Sequence, residues 1–259
     1  MNVPSSSTSL LVSHFPTRAA LGAAAAADVS AAIQSLLAKK DHIYIVFAAA
    51  PSQNEFLQTL VEDTSIDFSR ITAYHMDEYI GLPPDAPQGF GNFLKERIFA
   101  RASFAAVHYL GGNAPDPQAE CARYAALLSE NPPDIICMGI GENGHIAFND
   151  PHVALLHDPA LCKVVELDDM CRMQQVNDGC FASFDEVPTR ALTLTVPTLL
   201  RAAHHFCMVP GEKKAPAVRD AMLGPVTMAC PASALRLCKD ARLYLDAESG
   251  ALLRKEATL

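Results

Sequence analysis

Asp77, Asn143, His145 and Asp150 are the residues whose types and spacing could move protons at neutral pH. Three of them fall in one stretch, Gly139-Ile-Gly-Glu-Asn-Gly-His-Ile-Ala-Phe-Asn-Asp150. An imidazole titrates near neutrality, a carboxylate holds or accepts a proton, and a carboxamide can orient either. Asp77 lies in His75-Met-Asp-Glu-Tyr-Ile-Gly-Leu82, where an apolar run gives way to the paired carboxylates Asp77 and Glu78. A solvated turn has the same composition, but carboxylates directly after an apolar strand point to function.

Two further places could hold an anion. Ala48-Ala-Ala-Pro-Ser-Gln53 is a small-residue turn between a strand and a helix, so free backbone N–H groups would face a ligand. Val209-Pro-Gly-Glu-Lys-Lys214 joins a strand to a helix start and offers two ammonium groups, of which one need face a pocket. Gly139, Gly141 and Gly144 also fit the spacing of a dinucleotide-binding turn. That motif needs a helix to open inside it, and Pro151 and Pro159 interrupt the segment where the helix would run. A packed structural loop with a hydrogen-bonded histidine is the other alternative.

The elements that must position these residues alternate along the chain. Strands are predicted at 43–47, 71–75, 107–110, 134–138, 163–167, 191–196, 205–209 and 241–245. Helices are predicted from Pro16 to about Leu37, at 54–61, and near 88–98, 117–129 and 212–223. This alternation predicts an α/β fold with a mainly parallel sheet covered on both faces, its strand ends converging on one pocket. Residues 1–14 are Ser-rich and read as a flexible arm; with no repeat or linker in mid-chain, 15–259 read as a single domain.

Composition narrows the function classes. A net charge of −9 and a pI near 5.4 argue against a nucleic-acid surface, so an anionic substrate needs a local positive pocket. None of the eight cysteines forms a C-x-x-C pair, which predicts buried reduced thiols rather than a metal site or disulfides. No signal peptide is evident, and the Ala-rich run between Arg18 and Asp28 is too short to span a bilayer. A cytoplasmic protein with no membrane partner is expected, and a homo-oligomer is compatible with the sequence.

Met76-Asp-Glu-Tyr-Ile-Gly-Leu82 taken with Gly139–Asp150 resembles the glucosamine-6-phosphate deaminase/isomerase family. Val187-Pro-Thr-Arg-Ala-Leu-Thr-Leu-Thr-Val196, Gly211-Glu-Lys-Lys-Ala215 and Gly224-Pro-Val-Thr-Met-Ala-Cys-Pro-Ala-Ser233 occur in the family's order. The resemblance implies a three-layer α/β/α modified Rossmann-like fold. It also implies conversion of glucosamine 6-phosphate to fructose 6-phosphate and ammonia, with no metal or organic cofactor. By this resemblance Asp77 is the general base between C2 and C1, and His145 assists ring opening with Asn143 and Asp150 behind it. Ala50, Ser52, Gln53, Gly139 and Lys214 then bind the substrate, with Ser52, the turn amides and Lys214 on its phosphate.

Three residues depart from the family pattern. The turn at 48–53 lacks the usual glycines, and Asp150 stands where a longer glutamate is common. The arginine that commonly binds phosphate aligns with Gly179, leaving Arg172 as a candidate substitute. The nearest alternative function is a 6-phosphogluconolactonase-like hydrolase, whose loop usually continues with small hydroxylated residues and which lacks Met-Asp-Glu-Tyr. A non-catalytic sugar-phosphate sensor is the third, and it would not need Asp77 and His145.

Overall fold

The computed structural model describes residues 9–256. The chain opens with β1 (Ser9–His14), α1 (Arg18–Leu37), β2 (Ile43–Phe47) and α2 (Asn54–Val61). Then come β3 (Ile71–His75), β4 (Asp77–Tyr79), α3 (Phe90–Leu94), β5 (Ala106–His108), α4 (Pro117–Glu130) and β6 (Ile135–Met138). The second half runs β7 (Cys162–Glu166), α5 (Asp169–Asn177), β8 (Arg190–Leu194), α6 (Val196–Leu199) and β9 (His204–Val209). It closes with α7 (Ala215–Leu223), β10 (Asp240–Leu245) and α8 (Ala251–Glu256).

Seven strands form a wholly parallel sheet in the order β1-β10-β9-β6-β2-β3-β5. Its central strands are apolar on both faces, as a doubly covered sheet requires. Ile45, Phe47, Ile135 and Cys137 enter one core; Val46, Ile136 and Met138 enter the other. From β2 the chain steps outward through β3 and β5, then returns to the other side of β2 as β6. The order therefore reverses between β2 and β6, and their carboxyl ends open a crevice there.

Two strands expected in the main sheet lie elsewhere. β7 and β8 pair antiparallel with each other, and β8 pairs antiparallel with β4, making a separate sheet. Only Met76 separates β3 from β4, so Asp77 sits where the chain passes from one sheet to the other. Val165 and Ala191 face one core and Leu192 and Leu194 the other, so burial on both sides gave them a parallel-strand pattern.

The reading of 1–14 as a flexible arm is corrected for its second half. Ser9–His14 pair parallel to β10 from Ser9↔Asp240 to His14↔Leu245. The run is short and Leu11 is 53% exposed, so main-chain pairing rather than side-chain burial defines this edge strand. Residues 1–8 of that expected arm lie outside the described residues.

Helix α1 starts after its cap, Thr17, whose hydroxyl accepts the Ala20 N–H at 3.2 Å, so Pro16 precedes the first turn. It ends at Leu37 as expected, and at 20 residues it is long and apolar enough to cross a bilayer by length and composition alone. Leu21, Ala25, Val29 and Ile33 instead bury one face in the core. Gly22 makes the contact with α2 close: a Cβ there would meet Glu55 Cβ at 2.6 Å and the Phe56 nitrogen at 2.8 Å. That approach brings the start of α1 onto the turn after β2.

Candidate active site

The crevice is walled by the turn 48–53, by Met76 and Asp77, by the loop from Gly139 to Phe148, by α5, and by Pro210 and Lys214. All four strand-end segments expected to converge do so. Asp77, His145, Ala50, Ser52, Gln53, Gly139 and Lys214 line one pocket, while Asn143 and Asp150 stand behind the imidazole.

Strand alternation separates the two carboxylates of β4. Asp77 faces the pocket and takes no hydrogen bond from any described residue on its carboxylate. Burial, and then the charge of Glu78, push its pKa well above the ordinary carboxylate range. Glu78 turns away and accepts backbone N–H groups of Tyr79 (2.9 Å), Phe90 (3.0 Å) and Gly91 (2.8 Å), tying β4 to the start of α3. Burial raises Glu78 also, partly offset by those three donors.

Residues 139–150 form a loop without a crossover helix, as the prolines require. The His145 Nδ1–H donates to Asn143 Oδ1 at 2.7 Å and lies 3.2 Å from Asp150 Oδ1. Asn143 Nδ2 donates to Asp150 Oδ1 at 2.9 Å, and Asp150 Oδ2 accepts the Asp168 N–H at 2.9 Å. Burial, the largest single influence on Asp150, would raise its pKa. The His145 bond and charge, the Asn143 amide and the Asp168 N–H together hold it down at about 2. The shorter carboxylate therefore reaches its histidine. Nδ1 carries the hydrogen, and Nε2 has no protein partner among the described residues.

One strand sets the position of both Asp77 and the loop that carries His145. Asp77 pairs with Thr193 of β8, and Thr193 Oγ1 accepts the Phe148 N–H at 3.1 Å. Asn149 Nδ2 donates to the Leu194 carbonyl at 2.8 Å. These bonds also hold Ala147 at φ 48°, a left-handed conformation costing on the order of 1 kcal/mol. A second brace is His75, at the end of β3. The Leu110 N–H donates to its Nε2 at 2.9 Å, so Nδ1 carries the hydrogen and donates to the Asp77 carbonyl at 2.8 Å.

The anion end lies at the turn and at Lys214. Lys214 is 7% exposed, and its ammonium meets no hydrogen-bond acceptor among the described residues. Burial lowers its pKa, while the charges of Asp178 and Glu142 act to raise it. Gln53 Nε2 donates to Ser52 Oγ (3.1 Å) and the Met208 carbonyl (3.3 Å), leaving its buried Oε1 without a partner. Arg172 is corrected as a phosphate ligand: it donates to the Phe184 and Val187 carbonyls, stacks on Phe184, and does not line the pocket.

Arg18, Phe90, Phe148, Gln174, Gln175 and Asp178 line the pocket and were not singled out from sequence. Phe148 lies within the Gly139–Asp150 stretch but reads there as packing; the others sit on or at the end of helices whose patterns signal packing, and no local motif marks them. His145, Asp150 and Cys171 bring one donor atom each within 4.8 Å, the one metal-type grouping among the described residues. Its imidazole and carboxylate are already bonded to each other and to Asn143. Burial, then the charges of Asp150 and Asp77, keep the Cys171 thiol protonated.

A parallel α/β sheet with a crevice at its switch point, a donor-free buried carboxylate, a braced imidazole and an unpaired buried ammonium define a proton-transferring protein for small anionic substrates. The chain belongs to the glucosamine-6-phosphate isomerase/6-phosphogluconolactonase family, whose profile matches residues 16–244. It is 36% identical over 205 residues to a glucosamine-6-phosphate deaminase of Exiguobacterium sp., covering 79% of each chain. Among solved structures it resembles a monomeric glucosamine-6-phosphate deaminase (TM-score 0.85, 30% identity, 93% of this chain and 99% of that one). A 6-phosphogluconolactonase from Thermotoga maritima shares the fold (TM-score 0.75) at 18% identity, over 92% of this chain and 100% of that one.

Proposed function

We propose that this protein converts glucosamine 6-phosphate and water to fructose 6-phosphate and ammonia. The observation that carries the proposal is the pairing, in one crevice, of two buried charges without protein partners: the Asp77 carboxylate and the Lys214 ammonium. A buried charge left unpaired is costly, so each waits for a ligand group. In this reading Lys214 serves the anion end of the crevice and Asp77 the base end.

Lys214, Ser52 and the turn amides hold the phosphate, and Gln53 Oε1 accepts a sugar hydroxyl. His145, protonated on both nitrogens, gives the Nε2 proton to the ring oxygen and takes back the proton the C1 hydroxyl loses, opening the pyranose with no net change in charge. Asn143 and Asp150 hold the ring upright and stabilise the charged imidazole. Asp77 takes the C2 proton and returns it to C1 while a proton passes from the amine to O1, which leaves an imine at C2 and a hydroxyl on C1. Water adds there and ammonia leaves. The raised pKa of Asp77 makes it a stronger base than a solvated carboxylate. Eight free cysteines, seven of them buried, support a reducing compartment, the cytoplasm.

Incubation with glucosamine 6-phosphate should release ammonia and fructose 6-phosphate in equal amounts; galactosamine 6-phosphate tests the epimer. Hydrolysis of 6-phosphogluconolactone without ammonia release from either amino sugar would replace this reading with the lactonase one.

A further inference from the structure

Four charged side chains line the pocket: Arg18, Asp77, Asp178 and Lys214. Lys214 is one charge and Asp178 lines the same pocket, so a dianionic phosphate at that end calls for a second cation. The position aligned with the family's usual arginine is Gly179, which lines a neighbouring cleft rather than this pocket. We infer that Arg18, at the start of α1, is that second cation: a guanidinium supplied from a different element.

The geometry suits the task. Arg18 Nε and Nη2 bind the two oxygens of Glu55 at 3.0 and 3.2 Å, and Nη2 also donates to the Pro51 carbonyl at 2.9 Å. This fork fixes the plane of the guanidinium beside the turn that carries Ser52. Nη1 keeps both hydrogens without a partner among the described residues. Close packing of α1 at Gly22 makes the reach possible. Arg18 stands at the mouth, and Lys214 lies deeper. The substrate phosphate takes the Nη1 edge, while Glu55 competes electrostatically for the same cation.

The inference rests on a phosphorylated substrate, so its test is chosen to stand apart from turnover. Calorimetric titration with inorganic phosphate at low salt compares wild type, Arg18→Ala, Arg18→Lys and Glu55→Gln. Arg18→Ala should weaken phosphate binding roughly tenfold, the loss of one charge-assisted contact near the surface, and Arg18→Lys should recover part of it. Glu55→Gln should bind phosphate as tightly as wild type or more so. With glucosamine 6-phosphate, Arg18→Ala should raise KM by a similar factor and leave kcat within about threefold. Unchanged phosphate binding in Arg18→Ala would overturn the inference. So would equal weakening in Glu55→Gln, because Arg18 would then only brace the turn. Wild type that binds phosphate yet releases no ammonia would refute the deaminase reading alone.

Discussion

Replacing Gly141 by alanine tests the imidazole without touching any titratable group. A Cβ at 141 would lie 2.1 Å from His145 Cε1 and 2.3 Å from both ring nitrogens, where ordinary contact begins at 3.4 Å. Gly141 is not among the glycines with positive φ, so the backbone accepts alanine and the ring must yield by more than an ångström. Its contacts of 2.7 Å to Asn143 and 3.2 Å to Asp150 do not survive such a shift. Proton transfer should fall by about 10²–10⁴ in kcat, matching His145→Gln. Without His145, burial prevails at Asp150 and its pKa rises from about 2. A carboxyl held below its ordinary 3.8 stabilises the fold above that pH and loses the effect as pH falls toward 2. The wild-type contribution is about 2 kcal/mol, so Gly141→Ala should be less stable at pH 7 by up to that amount, with the gap closing near pH 2. Urea unfolding at pH 7 and pH 2.5, beside ammonia release, measures both effects. A Gly141→Ala enzyme with near-wild-type kcat, or with a stability deficit that persists in acid, would refute the proposed clamp.

Asp77→Asn should fold normally and lose about 10²–10⁴ in kcat. Because the base must be unprotonated, the wild-type kcat/KM profile should fall on its acid side above the ordinary carboxylate range. A limb near pH 4 would contradict the raised Asp77. Glu78→Gln removes a charge that accepts three backbone N–H groups, so thermal melting should show a loss of roughly 1–3 kcal/mol while kcat falls far less than in Asp77→Asn. Lys214→Ala should raise KM for the sugar phosphate much more than Lys213→Ala does, and equal effects would displace Lys214 from the anion end.

The parts of this fold that were legible are those whose signal is local. Asn54–Val61 and Ile71–His75 appear where their side-chain patterns put them, and the loop after β6 is helix-free because Pro151 and Pro159 forbid the alternative. The convergence of Asp77 and His145 on one crevice was legible because each sits beside a strand end in a distinctive motif. What stayed hidden depends on long-range pairing. Asp77–Tyr79 were not predicted as a strand because three residues carry no period, yet β8 supplies the partner that makes them one. β7 and β8 could not be told from parallel strands, since burial on two faces erases the alternation of an antiparallel sheet. Arg18 was invisible as a pocket residue because its place comes from α1 lying on α2 at Gly22, a contact between residues far apart in sequence.

The brace at His75 gives the molecule two imidazoles with opposite duties. Burial, opposed by the Asp77 carbonyl and the charge of Glu120, lowers the His75 pKa to about 4. A proton on Nε2 would point at the Leu110 N–H, so the ring cannot charge without giving up its bond to the segment after β5, while Nδ1 keeps the Asp77 carbonyl. Its contribution to stability is complete above about pH 6.5 and declines as pH falls toward 4, because the unfolded chain takes up the proton first. His145, by contrast, faces the pocket through a nitrogen with no protein partner among the described residues, where gaining and losing a proton is the proposed task. Mild acid therefore reaches this fold through a histidine that does not line the pocket: as pH drops below about 6.5, the bond between the His75 ring and the segment after β5 weakens.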